Sequence, residues 1–122
     1  MPDSTTTVSV LREAMRRFVA EREWEPFHSP KNLVMGLSVE AAELMEHFLW
    51  VSNEESHAVA GDAARLGEVA DEMADVALYL FALCNTLGID LSDAILSKLD
   101  KTALKYPVER CRGRYRPEEP GP

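Results

Sequence analysis

Cysteine is scarce in this 122-residue chain, which has Cys84 and Cys111 and no C-x-x-C pair. The sequence therefore predicts neither a disulfide framework nor a zinc site. Long apolar runs are also missing, because none reaches the roughly 20 residues that a helix needs to cross a bilayer. The first ten residues lack the charged start and apolar stretch of a secretory signal. We therefore expect a cytoplasmic protein that does not enter a membrane.

Basic residues are few as well: 13 lysines and arginines stand against 21 acids, which gives a net charge of −8. Nucleic acid is thereby disfavoured as a partner, since binding to its backbone requires a basic face. A smaller phosphate compound is compatible with this charge if divalent cations lie between the two sets of negative groups.

Glycine and proline number 6 and 7, and they leave long stretches uninterrupted. Apolar spacing and capping residues predict helices near residues 8–23, 31–50, 62–87 and 91–106, the first capped by Thr7 or Ser9 and the last by Asp90 or Ser92. We expect an all-α domain over residues 1–106, an antiparallel four-helix bundle, followed by an irregular, mobile tail over 107–122. A domain this small leaves much apolar surface exposed, which favours oligomerisation. The third helix has the most regular apolar stripe, formed by Leu66, Val69, Met73, Val76, Leu80, Leu83 and Leu87.

Four acids flank the apolar stripes of the second and third predicted helices. Glu40 and Glu43 form an E-x-x-E pair, and Glu72 and Asp75 form an E-x-x-D pair. At about 100° of rotation per residue, each pair lies on one flank of its helix. The two flanks either face one cleft or turn away from each other, and the sequence does not choose. If they converge, Mg²⁺ or Mn²⁺ would relieve the repulsion and suit the oxygen ligands; otherwise they form a solvated acidic surface.

Beyond the acids, the chain resembles a known family. "VEAAE" at residues 39–43 and "EMAD" at 72–75 match the E-x-x-E…E-x-x-D signature of the MazG-like, all-α nucleoside triphosphate pyrophosphohydrolases. "EREWEPFHSPKNL", "FLW", "DVALYL" and "LSKLDKTALKYP" are similar to the dCTP pyrophosphatase branch of that superfamily. These segments occur in the same order and cover roughly residues 10–107.

The resemblance implies a Mg²⁺-dependent enzyme that cleaves a nucleoside triphosphate between its α- and β-phosphates. The products are a monophosphate and pyrophosphate, in the removal of unwanted nucleotides, with dCTP or a modified dCTP as the leading substrate. Family members are dimers or tetramers. In this reading Glu43 also orients or deprotonates the attacking water. By position the metal ligands are Glu40, Glu43, Glu72 and Asp75, the residues toward the base and sugar are Trp24, His28, Trp50 and Tyr79, and those toward the phosphates are Lys31, Lys98 and Tyr106.

Other readings stay open at this point. Thr102 stands where related sequences commonly have asparagine, so dUTP, dTTP and non-standard nucleotides remain possible substrates. A carboxylate-bridged di-iron bundle is disfavoured, because it needs Glu-x-x-His on two helices and the third predicted helix has no histidine. A non-catalytic helical module that oligomerises through its apolar stripes would show the same periodicity, but it gives no reason for four acids beside the core.

Overall fold

A computed structural model describes residues 1–114, and the regular structure in that part of the chain is entirely helical. The all-α prediction is therefore confirmed. No single helix there is both long and apolar enough to cross a membrane; Ala63–Leu87 and Leu91–Lys105 pass such a test only when counted together. The helices are α1 (Val8–Glu21), α2 (Pro30–Glu46), α3 (Asn53–Ala58), α4 (Ala63–Leu87), α5 (Leu91–Lys105) and α6 (Val108–Cys111), with 3-10 turns at Glu25–Phe27 and Val59–Gly61.

Capping side chains set where the long helices begin. At each start an oxygen of the capping residue accepts a hydrogen bond from the backbone N–H three residues later, which satisfies a group that has no partner within the helix. Of the alternatives predicted from the sequence, Thr7 and not Ser9 caps α1, and Asp90 and not Ser92 caps α5. The capping residues are Thr7, Ser29, Asp62 and Asp90. At the other end of α4, Gly88 takes a φ of 67° and closes the helix.

Two helix boundaries differ from the prediction. The second helix ends at Glu46 and not at Trp50, and the polar link after it contains α3. Ser52 and Glu55 form a reciprocal capping box, which starts this new helix. The first helix ends at Glu21, because Glu23 adopts a positive φ of 53°. There Trp24 N–H donates to the Val19 carbonyl at 3.1 Å, a closure that glycine usually provides.

Residues 1–88 form one compact unit, in which α1 and α2 both pack on α4. Leu33 on α2 is 1% exposed, and Val69 and Ala82 on α4 are also buried. α2 and α4 run antiparallel. Gly36 near the start of α2 lies against Tyr79 in the second half of α4, whereas His47 at the end of α2 lies beside Glu68 near the start of α4. This antiparallel pairing sets the geometry of the site below.

The apolar stripe of α4 is less buried than its regularity suggested. Leu66, Met73 and Leu87 are 44%, 57% and 50% exposed. Val69, from the same stripe, is buried, so the stripe is covered over only part of its length within residues 1–88. Periodicity identifies residues that share a face, but it does not say which neighbour covers that face.

The second unit begins at Ile89, and its described part contains α5 and α6. No residue of α5 is buried. The division at Gly88 falls inside the predicted domain of residues 1–106, so that single domain stays a prediction. α6 lies in the segment 107–122 that was expected to be irregular, and residues 115–122 of that predicted tail are outside the described residues. The exposed apolar residues of α5 include Ile95, Leu96, Leu99 and Leu104.

Candidate metal centre

Two rows of side chains face each other along the contact between α2 and α4. Steps of three or four residues keep side chains on one face of a helix. The antiparallel pairing therefore places the two rows opposite one another. In order along α2 the row is Gly36, Glu40, Glu43 and His47, and in reverse order along α4 it is Tyr79, Asp75, Glu72 and Glu68. Of the two arrangements that the sequence left open, the structure has the convergent one.

The middle of these rows is an acidic cluster formed by Glu40, Glu43 and Glu72. Each contributes one carboxylate oxygen, and the three oxygens lie within 4.8 Å of one another. Glu40 and Glu72 are partly buried and Glu43 is exposed. One oxygen of Glu40 (Oε2) and one of Glu72 (Oε2) are buried without a hydrogen-bond partner. Buried carboxylate oxygens without partners are costly, so this arrangement favours a bound cation or proton.

The electrostatics of Glu40 show how close these groups are. Its pKa is raised to about 7, first by burial of part of the side chain, then by the neighbouring carboxyls of Glu43 and Glu72 and the negative charges of Glu43 and Asp75. No hydrogen bond of standard geometry joins Glu40 Oε2 to these carboxyls, so we attribute their effect to proximity. Asp75, the fourth predicted ligand, thus lies near enough to act on Glu40 although it is outside the three-residue cluster.

The cluster fits a small, hard divalent cation. All its donors are carboxylate oxygens, which Mg²⁺ and Mn²⁺ prefer. Mg²⁺ binds oxygen at about 2.0 to 2.1 Å, so ligands on opposite sides of the ion lie about 4 Å apart, and the three oxygens of the cluster all lie within 4.8 Å of one another. Within residues 1–114, no lysine or arginine forms an ion pair with Glu40, Glu43 or Glu72. The role of these residues as metal ligands stays a prediction.

Tyr79 lies one helical turn beyond Asp75, with its ring directly on the backbone of α2. A Cβ built on Gly36 would be 2.6 Å from Cζ of the ring, far closer than real Cβ atoms come. The absence of a side chain at Gly36 therefore lets the ring lie where it does. Gly36 was not among the predicted site residues, although an isolated glycine within a helical pattern is a usable signal of close packing.

Trp24 and His28 lie together in the turn after α1. The Trp24 ring meets Phe18 edge-on at 5.7 Å between centroids, and it is 6.3 Å from the His28 ring. His28 Nδ1 is buried without a hydrogen-bond partner. This histidine lines a cavity of about 260 Å³ that also touches Arg16 on α1 and Thr86 on α4. The cavity includes no residue of the acidic cluster in its lining.

The remaining predicted site residues lie at exposed positions outside the acidic cluster. Lys31 is exposed in the first turn of α2, and Trp50 is 91% exposed in the turn after that helix. Lys98 is exposed on α5, and Tyr106 ends α5 with its ring 5.4 Å from Lys105 Nζ. Lys98 and Tyr106 belong to the second unit. The substrate contacts of all four stay predictions.

Comparisons with known proteins agree with the sequence motifs. The model of the MazG-like family matches residues 35–115. The dCTP pyrophosphatase 1 of Bos taurus is 37% identical over 110 residues, and that of Mus musculus is 38% identical over 107 residues; the matches cover 90% and 88% of this chain. The chain spans 65% and 63% of the length of these curated relatives.

A solved structure is similar over nearly its whole length. The crystal structure of a pyrophosphatase from Archaeoglobus fulgidus is 37% identical to the chain, with a TM-score of 0.77. The match covers 88% of this chain and 98% of the other. The helical fold described above is therefore shared with an experimentally determined structure.

Proposed function

The chain belongs to the MazG-like family, and on that premise we propose that it is a Mg²⁺-dependent nucleoside triphosphate pyrophosphohydrolase. It cleaves the bond between the α- and β-phosphates and releases a nucleoside monophosphate and pyrophosphate. The observation that carries this proposal is the acidic cluster, in which two buried carboxylate oxygens have no hydrogen-bond partner. A protein that served only as a helical scaffold would have no use for such an arrangement.

The leading substrate in this proposal is dCTP, because the curated relatives are named dCTP pyrophosphatase 1. Modified dCTP is the next choice, and a role in removing unwanted nucleotides from the cytoplasmic pool follows from such a substrate. The other deoxynucleoside triphosphates serve as comparison substrates, since Thr102 differs from the asparagine expected in the resemblance.

Glu40, Glu43, Glu72 and Asp75 would hold the metal, with Mn²⁺ as a possible substitute. When bound, Mg²⁺ supplies positive charge that offsets the phosphate oxygens and orients them for in-line attack. The four acids supply the negative field that holds the cation between α2 and α4. Without a cation, the close packing of these acids disfavours the ionised form of Glu40, whose pKa is raised to about 7.

Glu43 is the residue we assign to the attacking water. It is the exposed member of the acidic cluster, whereas Glu40 and Glu72 are partly buried. An exposed carboxylate next to the site can accept a hydrogen bond from water and take its proton during attack. Tyr79, Trp24, His28 and Trp50 are proposed to contact the base and sugar. Lys31, Lys98 and Tyr106 are proposed to contact phosphate groups.

We also propose that the active form is a homodimer or homotetramer. Only six apolar residues are buried in the described chain, and Leu33 is the one that is almost fully inaccessible. Exposed apolar residues are present on α4 (among them Leu66 and Met73) and on α5 (among them Leu96 and Leu104). Association of copies through these faces would bury them, in line with the small size of the domain.

The test is product analysis with a panel of deoxynucleoside triphosphates in Mg²⁺. We expect dCTP to give dCMP and pyrophosphate, and EDTA to stop the reaction. Glu43→Gln should fold normally, as judged by circular dichroism, and lose at least about 100-fold in turnover, the lower range of general-base effects. Formation of dCDP and phosphate, or full turnover by Glu43→Gln, would overturn the proposal.

A separate measurement distinguishes an enzyme from a scaffold without assaying turnover. Ligand that binds the folded state alone stabilises it by about 2.7 kcal/mol when its concentration is 100 times the Kd. The melting temperature of the wild-type protein should therefore rise with Mg²⁺ concentration. No rise in Mg²⁺ or Mn²⁺ would favour a non-catalytic oligomerisation module.

A further inference from the structure

Arg65 joins the end of α2 to the start of α4. Its Nη2 donates a hydrogen bond to the backbone carbonyl of His47 at 3.0 Å. Its own backbone N–H donates to Asp62, the residue that caps α4. The last carbonyls of a helix have no partner within the helix, and a cation there interacts favourably with the helix dipole. One side chain therefore holds the C-terminus of α2 on the first turn of α4.

This contact lies next to the acidic cluster. His47 comes four residues after Glu43, so the bond from Arg65 reaches α2 about 6 Å along the helix axis from the backbone of Glu43. On the other side of the cluster, the ring of Tyr79 rests on the backbone of Gly36. The cluster is thus located between two places where α2 and α4 are in direct contact.

Holding α2 and α4 together at this point opposes a specific force. When they are ionised and no cation is bound, the carboxylates of Glu40, Glu43 and Glu72 repel one another across the gap between the helices. The described residues provide these carboxylates with no ion pair to lysine or arginine. Contacts outside the cluster must therefore keep the two helices close enough for their oxygens to share one ion.

We infer that Arg65 is a positioning residue of the metal centre: by holding the end of α2, it keeps Glu43 opposite Glu72 at the spacing that a divalent cation requires. This inference rests on the proposed function, since it assumes that the acidic cluster binds Mg²⁺. Arg65 acts through the backbone of His47 and takes no part in the chemistry itself.

For Arg65→Met, the loss of the positive charge and the loss of the hydrogen bond are expected to change the affinity for Mg²⁺ in opposite directions. Methionine keeps an unbranched apolar stem but has no charge and no donor. Removing a positive charge near an anionic site would by itself strengthen the binding of Mg²⁺. Losing the bond to the His47 carbonyl would instead widen the cluster and weaken binding. Weaker binding of Mg²⁺ by Arg65→Met would therefore show that Arg65 positions the ligands, and stronger binding would show only the effect of its charge.

The experiment is calorimetric titration of the metal-free full chain with Mg²⁺, in the absence of nucleotide. For Arg65→Met we expect a Kd about 10-fold higher than in the wild type, as for other residues that orient metal ligands. Arg65→Lys keeps the charge and a donor, and should show a smaller rise in the same direction. Arg17→Met, which removes an exposed arginine from α1, is the matched control and should leave the Kd unchanged.

Several results would overturn the inference. An unchanged or lower Kd in Arg65→Met means that the bond does not position the ligands, even if the melting temperature of the variant falls. If Arg65→Met does not fold, the Kd of Arg65→Lys decides, and equality with the wild type refutes the role. A wild-type protein that fails to bind Mg²⁺ refutes the proposed function, and the role of Arg65 with it.

Discussion

The contact between Gly36 and Tyr79 leads to a quantitative prediction for Gly36→Ala. In a helix interior, alanine is more favourable than glycine by about 0.5 to 1 kcal/mol. At Gly36 the new methyl group would meet the Tyr79 ring at a distance that no real Cβ tolerates, so the ring or α2 must move. Overpacking of this kind costs about 1 to 3 kcal/mol. The net effect on the free energy of unfolding should therefore range from neutral to a loss of about 2.5 kcal/mol.

Gly67→Ala is a matched control for this substitution. Gly67 is also helical, on α4, but a Cβ at that position would have nothing within 4 Å. Both variants receive the same helix-propensity gain, so their difference isolates the steric term. We expect Gly36→Ala to be less stable than Gly67→Ala by about 1 to 3 kcal/mol.

Urea unfolding followed by circular dichroism measures both free energies. The measurement belongs at a fixed protein concentration and in EDTA, because association and metal binding both shift apparent stability. Replacing the ring should remove the penalty, so Gly36→Ala should cost nothing in a Tyr79→Val background. Equal stabilities for Gly36→Ala and Gly67→Ala would show that the ring moves away freely and would refute the close-packing argument.

Two further predictions follow from single residues. The folded-state pKa of Glu40 is raised to about 7 from the ordinary 4.5, so the metal-free folded protein binds more protons than the unfolded chain between these values. The contribution of Glu40 to stability is therefore full below about pH 4.5 and is lost as the pH rises to about 7. In EDTA, the melting temperature should fall over this pH range more steeply for the wild type than for Glu40→Gln. Parallel curves for the two proteins would contradict the raised pKa of Glu40. Glu23→Gly should stabilise the protein by about 0.5 to 1 kcal/mol, because glycine adopts the positive φ of this position without strain; thermal unfolding with Glu21→Gly as the control, which should destabilise, measures the effect.

Much of this fold could be predicted from the sequence because its signals are local. The caps Thr7 and Asp90 and the stop at Gly88 act within one turn of the chain, and each does so in the structure. The start of α3 depended on the pair Ser52 and Glu55, a local signal within a segment whose polar composition suggested a link.

What could not be predicted depends on pairs of helices. The angular position of Glu40 and Glu72 on their own helices followed from the sequence, but their convergence depends on how α2 and α4 are paired. The contact of Tyr79 with Gly36 and the bond from Arg65 to the His47 carbonyl likewise join residues far apart in the chain. Periodicity contains no information on such partners, because it describes one helix at a time.

The opposed rows on α2 and α4 also determine which changes of length the chain can accept. One residue inserted between Gly36 and Glu43 would turn every later side chain of α2 by about 100° and advance it by about 1.5 Å. Glu43 would then leave the gap while Glu72 stayed in it. Insertions or deletions in the connections at residues 22–29 and 48–61 cause no such rotation. Among natural variants of this protein, gaps in an alignment should gather in those connections and spare the stretches 36–47 and 68–79.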